Sequence, residues 1–175
     1  FLNIITAEAA RLTRLIDNVL DFARMERGEK QYHFQNCDML KLVRETMAAY
    51  RPHVEANGFI LSGELPDKPL IVPGDPDALA QVLVNLLSNA EKYSAERKEI
   101  TVAIQESNNP AGTVEVRVMD RGTGVPHGCG DKLFEKFYRA HDSLSSGIQG
   151  SGLGLTLARQ IARAHDGDVV YEART

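Results

Sequence analysis

"QVLVNLLSNAEKYS", residues 81–94, decides how the chain is read. Leu79, Val82, Leu83, Leu86, Leu87 and Ala90 recur at helical spacing and make one continuous apolar face. The stretch is therefore a helix packed into a core. Asn85, Asn89 and Lys92 fall on another face, at steps of four and three, so they are neighbours in space. Asparagine is a poor helix former, because its side chain competes for nearby backbone groups. A face turned to water would be better served by Glu, Lys or Gln. Two Asn in line with a Lys make sense where the face lines a polar pocket. Taken alone, the pattern fits equally well a polar helix face with incidental Asn.

Outward from this helix the chain alternates in kind. Residues 1–27 carry Ile5, Ala9, Leu12, Ile16, Val19 and Ala23 at steps of four and three, the seam of a helix that packs on another helix, and Gly28 ends it. Length and heptad steps favour a projecting helix of a bundle or dimer over a first core helix. "QYHF" is a possible short strand. Asp38 is a candidate N-cap for a helix carrying Leu40, Val43, Met47, Tyr50 and Val54, kinked at Pro52 and stopped at Asn57-Gly58. "FILSGEL" and "LIV" are strand-like, and Asp75-Pro76 opens the central helix. Ile100, Val102 and Ile104, then Val114, Val116 and Val118, alternate on either side of the turn "SNNPAG" and predict an antiparallel pair. A Gly-rich turn (120–130), a short helix around "DKLFEKFYR", a polar loop (140–150), a helix from about 152 and a closing strand "DVVYEA" complete the order. The expected fold class is α+β, a two-layer α/β sandwich with helices on one face of a sheet.

Composition sets the outer bounds. The 175 residues are 43% hydrophobic and 25% charged, ordinary for a globular chain able to bury a core. A net charge of −4 offers no electrostatic footprint for nucleic acid. Cys37 and Cys129 have no metal or redox spacing, which suits a reducing compartment. No apolar run is long enough for a bilayer and no signal peptide is visible. The opening inside a helical pattern, "FLNIITAEAARL", reads as that of a fragment.

Three further stretches carry chemistry. In "MDRGTGVP", Asp120 ends an apolar strand and is followed by Gly122 and Gly124. A strand-end carboxylate can accept from an amino group such as adenine's exocyclic amine, and the glycines let backbone approach a flat base. Alone, this is a turn. "GSGLGLTLAR" places Gly150, Gly152 and Gly154 where a polar loop becomes a helix, whose N–H groups would point at an anion. The spacing is G-x-G-x-G and no strand precedes it, so a dinucleotide fingerprint does not fit. "LFEKFYR" sets Phe134 and Phe137 inward and leaves Arg139 at the mouth of the loop. With these in view, the face of Asn85 and Asn89 offers hard amide oxygens that add no charge, suiting Mg²⁺ already neutralised by triphosphate. Lys92 would meet phosphate as a point charge.

In this order, the asparagine helix, D-x-G-x-G, F-E-x-F-Y-R and G-x-G-L-G-L resemble the N, G1, F and G2 boxes of sensor histidine kinases of two-component systems, within the GHKL ATP-binding superfamily. "RLTRLIDNVLDFARMERGE" is similar to the second helix of their dimerisation and phosphotransfer hairpin. The resemblance implies a Bergerat-type fold, a mixed sheet covered by helices. It divides the chain into a truncated hairpin helix (1–29) and a catalytic ATP-binding domain (30–175) whose last strand is missing. It implies that Asn89 binds Mg²⁺, that Asn85 supports metal and phosphates, that Lys92 contacts phosphate and that Tyr93 packs near the nucleotide. Asp120 would accept from adenine, with Gly122 and Gly124 shaping the pocket. Residues 139–152 would be a mobile lid, with Gly150, Gly152, Leu153 and Gly154 beside the phosphates and Arg139 a candidate for the γ-phosphate. The implied partners are a response regulator and a second copy joined through the hairpin. The implied place is the cytoplasm, as part of a membrane-attached sensor.

Two alternatives stand beside this kinase. A degenerate nucleotide-binding or dimerising module is disfavoured by four intact boxes. Water-using GHKL ATPases usually carry a Glu one turn before the metal-binding Asn, where this chain has Asn85, and an amide cannot take a proton from water. Glu91 lies about 200° around the helix from Asn89 and faces elsewhere. None of His33, His53, His127, His141 and His165 has the acidic residue and following proline of a phosphoacceptor, so the acceptor is expected on a helix before Phe1.

Overall fold

The computed structural model describes residues 2–94, 97–108, 110–139 and 151–174. In chain order they form α1 (Leu2–Glu26), β1 (Gln35–Asp38), α2 (Met39–Ala56), β2 (Ile60–Glu64), β3 (Ile71–Gly74), α3 (Pro76–Tyr93), β4 (Glu99–Asn108), β5 (Ala111–Asp120), a 3-10 turn (Asp131–Phe134) and α4 (Gly154–Ala164).

Local chemistry sets the helix ends. Asp38 caps α2, its carboxylate accepting from the Leu40 and Lys41 N–H groups. Asp75 does the same for α3, accepting from Asp77 and Ala78, with Pro76 in the first turn. The predicted hairpin forms from β4 and β5, antiparallel from Ile100↔Asp120 to Asn108↔Ala111. β2 joins the other edge of β4 in parallel, so the sheet order is β2-β4-β5 and the sheet is mixed. β1 and β3 form a separate antiparallel ribbon, where a single sheet was expected.

One core lies between this sheet and the helices. Val43 and Val54 of α2, Leu83, Leu87 and Ala90 of α3, and Ile100, Val102 and Ile104 of β4 are buried in it. The β4 residues alternate, as one covered face requires. A smaller cluster of Ala78, Leu157 and Ile161 joins α3 to α4, and Met25 and Tyr32 pack on it. There the end of α1 meets the body. Asp21 accepts from Lys30 Nζ and from Gln81 Nε2, both at 2.9 Å. Burial pushes the Asp21 carboxyl up, but these two donors outweigh it and hold the group below its usual range. The rest of the α1 seam is open, with Ile5, Leu12 and Ile16 each more than half exposed.

Three expectations are corrected. The strand expected at "QYHF" is shifted to Gln35–Asp38; the Tyr32 and Phe34 rings pack on the His165 imidazole instead. The helix expected around "DKLFEKFYR" is a single 3-10 turn, because Phe137 adopts φ 61° and breaks any helical path. "DVVYEA" forms no strand: Asp168 is held by Arg159 and Arg163 and takes the Val169 N–H itself.

The Asp75 carboxylate is 9% exposed and also accepts the His33 N–H at 2.9 Å, tying the residue 30–34 segment to α3. Asp75→Ala removes an N-cap and strands three donors, so it should destabilise the chain by about 2 kcal/mol. Urea unfolding should show a lower midpoint at unchanged slope; a midpoint equal to wild type would mean that the cap contributes nothing.

Candidate functional site

Almost every side of α3 is covered: of its residues only Asp77 and Lys92 are exposed. Leu83 and Leu87 face the core. Gln81 reaches α1. Glu91 is taken by α2, accepting from Tyr50 Oη at 2.9 Å and Asn57 Nδ2 at 2.8 Å, with His53 Nε2 at 3.1 Å. Burial, then the Glu91 charge, push the Tyr50 hydroxyl far up, so it stays a donor to this carboxylate. Tyr50, His53 and the C-cap residue Asn57 lie at steps of three and four along one side of α2, a spacing visible in the sequence that matches the Glu91 carboxylate.

The remaining side of α3 carries the amides. Asn85 Nδ2 donates to the Gly154 carbonyl at 3.2 Å, joining α3 to the start of α4. Asn85, Asn89, Lys92 and Tyr93 line an open cleft together with Asp120, Gly122, Thr123 and Gly124. Tyr138, Arg139, Ser151, Gly152 and Gly154 line it as well. Two direct contacts join these segments: the Gly122 turn packs on the Tyr93 carbonyl, and Asn85 holds the start of α4. Among these residues the polar groups are the Asn85 and Asn89 amides, the Asp120 carboxylate, the Lys92 and Arg139 cations and the hydroxyls of Tyr93, Thr123, Tyr138 and Ser151. Among the described residues no cluster of His, Cys, Asp and Glu is suited to a metal ion. The amide oxygens of Asn85 and Asn89 are hard, uncharged donors of the kind a divalent cation accepts.

Close packing holds the walls. Asp120 Oδ1 accepts the Gly122 N–H at 2.7 Å, which orients the carboxylate at the end of β5. A Cβ on Gly122 would collide with the Tyr93 carbonyl, so the turn rests on the last residue of α3. Gly152 has φ +69°, and a Cβ there would lie 2.8 Å from Phe137 Cα. Phe137 N–H donates to the Gly152 carbonyl at 3.1 Å. No side-chain hydrogen bond caps the first turn of α4.

Phe134 is buried, as expected: Thr156 Oγ1 donates to its carbonyl at 3.0 Å and the Arg159 guanidinium lies 4.6 Å from its ring. Phe137 is not inward; it is 67% exposed, because the bond to Gly152 and the positive φ turn its side chain out. Leu153 is buried at 2%, so its side chain serves packing at the start of α4. Gly150 and His141 lie outside the described residues, as does most of the expected lid; Arg139, Ser151 and Gly152 are its described ends.

The family described as "Histidine kinase-, DNA gyrase B-, and HSP90-like ATPase" matches residues 74–175. The sensor protein kinase WalK of Staphylococcus aureus is 28% identical over 170 residues, 97% of this chain and 40% of the relative. WalK of strain JH9 is matched over 27% of its length. The chain therefore spans well under half of these curated relatives. Full-length ShkA in complex with AMPPNP superposes with a TM-score of 0.76 at 24% identity, over 98% of this chain and 35% of that one. Histidine kinase ThkA in complex with response regulator protein TrrA gives 0.72 at 24% identity, over 98% and 46%. At such identities these two structures establish the shared fold.

Gly152→Ala places a side chain in left-handed backbone against Phe137 and should cost about 1–3 kcal/mol. Chemical denaturation measures it, and a loss under about 0.5 kcal/mol would show that the two segments yield without strain. Acid gives a second check. The Arg159 guanidinium, outweighing burial and helped by the Val169 N–H and Arg163, holds the Asp168 carboxyl down at about 2. A depressed pKa means the contribution is present above the unfolded value of about 4 and is lost as pH falls toward 2. Thermal melts of Asp168→Asn should lie below wild type at pH 7 and converge with it near pH 2; a gap that persists there would remove the ion pair as its cause.

Proposed function

This chain belongs to the family of histidine kinase-, DNA gyrase B- and HSP90-like ATPases, and we propose that within it the chain is the catalytic part of a sensor histidine kinase. Residues 30–175 would be the Mg·ATP-binding domain, and residues 1–29 a helix of the dimerisation and phosphotransfer hairpin. The observation that carries this reading is that α3 adjoins both the Asp120 turn, through Gly122 against the Tyr93 carbonyl, and the glycine segment, through Asn85 on the Gly154 carbonyl.

Each wall has a task. Asp120, oriented by the Gly122 N–H, accepts from the exocyclic amine of adenine. Gly122 and Gly124 admit the base, and Tyr93 packs near it. Lys92 and Arg139 meet the phosphates, and Gly152 and Gly154 present backbone to them; the resemblance gives the same role to Gly150, which lies outside the described residues. Asn85 and Asn89 would hold Mg²⁺, which supplies neutralisation of phosphate charge when bound. Leu153 anchors the glycine segment from the core.

The reaction is in-line phosphoryl transfer. An imidazole nitrogen of an acceptor histidine attacks the γ-phosphorus, a P–N bond forms, the bond to the β,γ-bridging oxygen breaks, and ADP departs while the imidazole gives up its proton. The phosphoryl group then passes to an Asp of a response regulator, the class of partner bound in the ThkA complex. The AMPPNP in ShkA is the ligand class this cleft would take. His33, His53, His127, His141 and His165 all lack the acceptor pattern, so the histidine belongs to another part of the hairpin. The open seam of α1 suits a second copy of the chain. The working place would be the cytoplasmic side of a membrane-attached sensor; no helix among the described residues is itself long and apolar enough to cross a membrane.

The kinase reading is favoured over water attack by two residues. Asn85 stands where a general base would be needed, and an amide takes no proton. Glu91, the neighbouring carboxylate, is engaged by Tyr50, His53 and Asn57 on α2.

Calorimetric and thermal-shift titration with ATP and Mg²⁺ tests the reading. ATP at a hundredfold over Kd should add about 2.7 kcal/mol of stability. No shift would favour a module that has lost nucleotide binding, and steady ATP turnover by the chain alone would favour an ATPase. Asp120→Asn should weaken ATP binding at least tenfold while leaving unfolding cooperative; wild-type affinity would remove Asp120 from the base site. Asn89→Ala should abolish the gain in ATP affinity that Mg²⁺ gives, and an undiminished gain would overturn the metal assignment.

A further inference from the structure

The segment after α4 has no part in the reading above, yet it lies along the base-binding turn. Tyr171 is half-buried there. Its hydroxyl accepts the Val125 N–H at 3.3 Å. The same hydroxyl lies 3.7 Å from where a Cβ on Gly124 would stand. Its ring lies against Gly130, close enough that a Cβ there would come within 3.2 Å of Cδ1. One side chain therefore touches the turn at its second glycine, at Val125, and again just before the 3-10 turn that buries Phe134. Arg174 makes a second contact at the same end of the sheet, Nη1 donating to the Asp120 carbonyl at 3.5 Å. Three residues before Tyr171, Asp168 is fastened to α4 by Arg159 at 2.7 and 3.0 Å.

We infer that Tyr171 is a positioning residue for base recognition: its hydroxyl holds the Gly124–Val125 backbone in place relative to Asp120. The inference rests on the assignment of Asp120 to adenine. Residues 121–130 contain four glycines and a proline and form no regular ladder, so little of their order comes from the turn itself. A recognition turn that is already ordered loses less freedom when its ligand arrives. The phenol supplies this order from outside, through an acceptor to a backbone N–H and a ring packed against Gly130. Loss of the hydroxyl therefore loosens the base end of the cleft and leaves the phosphate end, built from α3 and the start of α4, as it was.

The test uses the whole chain, wild type against Tyr171→Phe and Tyr171→Ala, with ATP and inorganic tripolyphosphate as probes. Tyr171→Phe should weaken ATP roughly fivefold, the worth of one net hydrogen bond. It should leave tripolyphosphate affinity unchanged and speed amide exchange at Val125. Tyr171→Ala should weaken ATP further, again with tripolyphosphate spared. ATP affinity unchanged in Tyr171→Phe overturns the inference, and so do equal losses for ATP and tripolyphosphate, which mark a general loosening of the fold. A wild-type chain indifferent to ATP overturns the parent reading instead, so the two failures are told apart.

Discussion

A helix covered on nearly every side must give each of its faces to something, and α3 is such a helix. Its apolar face is the floor of the core. One flank is occupied by α2 through Glu91, another by α1 through Gln81, and another by α4 through Asn85. Shielded amides are tolerable only with hydrogen-bond partners or a polar space beside them. Asn85 has the Gly154 carbonyl, and the same face opens on the cleft.

The same helix separates two kinds of chemistry. Its Glu91 carboxylate is bonded to Tyr50, and to Asn57 just past the end of α2, while Asn85 turns the other way to the start of α4, so the carboxylate and the amide serve different neighbours. A triphosphate brings its own charge, and neutral oxygens beside a cation add no repulsion. A carboxylate at Asn85 would suit activation of water; an amide suits holding and orienting.

Around this helix, order is supplied by residues distant in sequence. Phe137 and Gly152 hold one another through a single backbone bond and two left-handed conformations. Thr156 and Arg159 fasten Phe134 to α4. Among the described residues α1 is joined to the body near its end, at Asp21, Phe22, Met25 and Glu26, while Ile5, Leu12 and Ile16 of its apolar seam are exposed. A seam of that kind lowers its free energy by meeting another helix, which is the physical content of the proposed dimer.

Sequence alone determined whatever depends on neighbours along the chain. Asp38 and Asp75 act as caps because a short carboxylate reaches N–H groups two and three residues on. β4 and β5 pair because alternation and a turn specify a hairpin. The amide face of α3 was legible because helical spacing places Asn85, Asn89 and Lys92 side by side. Tertiary structure alone decided the rest. Phe137 turns outward because Gly152, fifteen positions away, takes its N–H. "DVVYEA" is rich in strand-forming residues, but Arg159 and Arg163 claim Asp168, and Tyr171 meets Val125 from across the fold. Glu91 finds Tyr50 forty-one residues back. Caps and periods are set by backbone geometry within a turn or two, whereas these contacts exist only once packing has brought separate segments within hydrogen-bond reach.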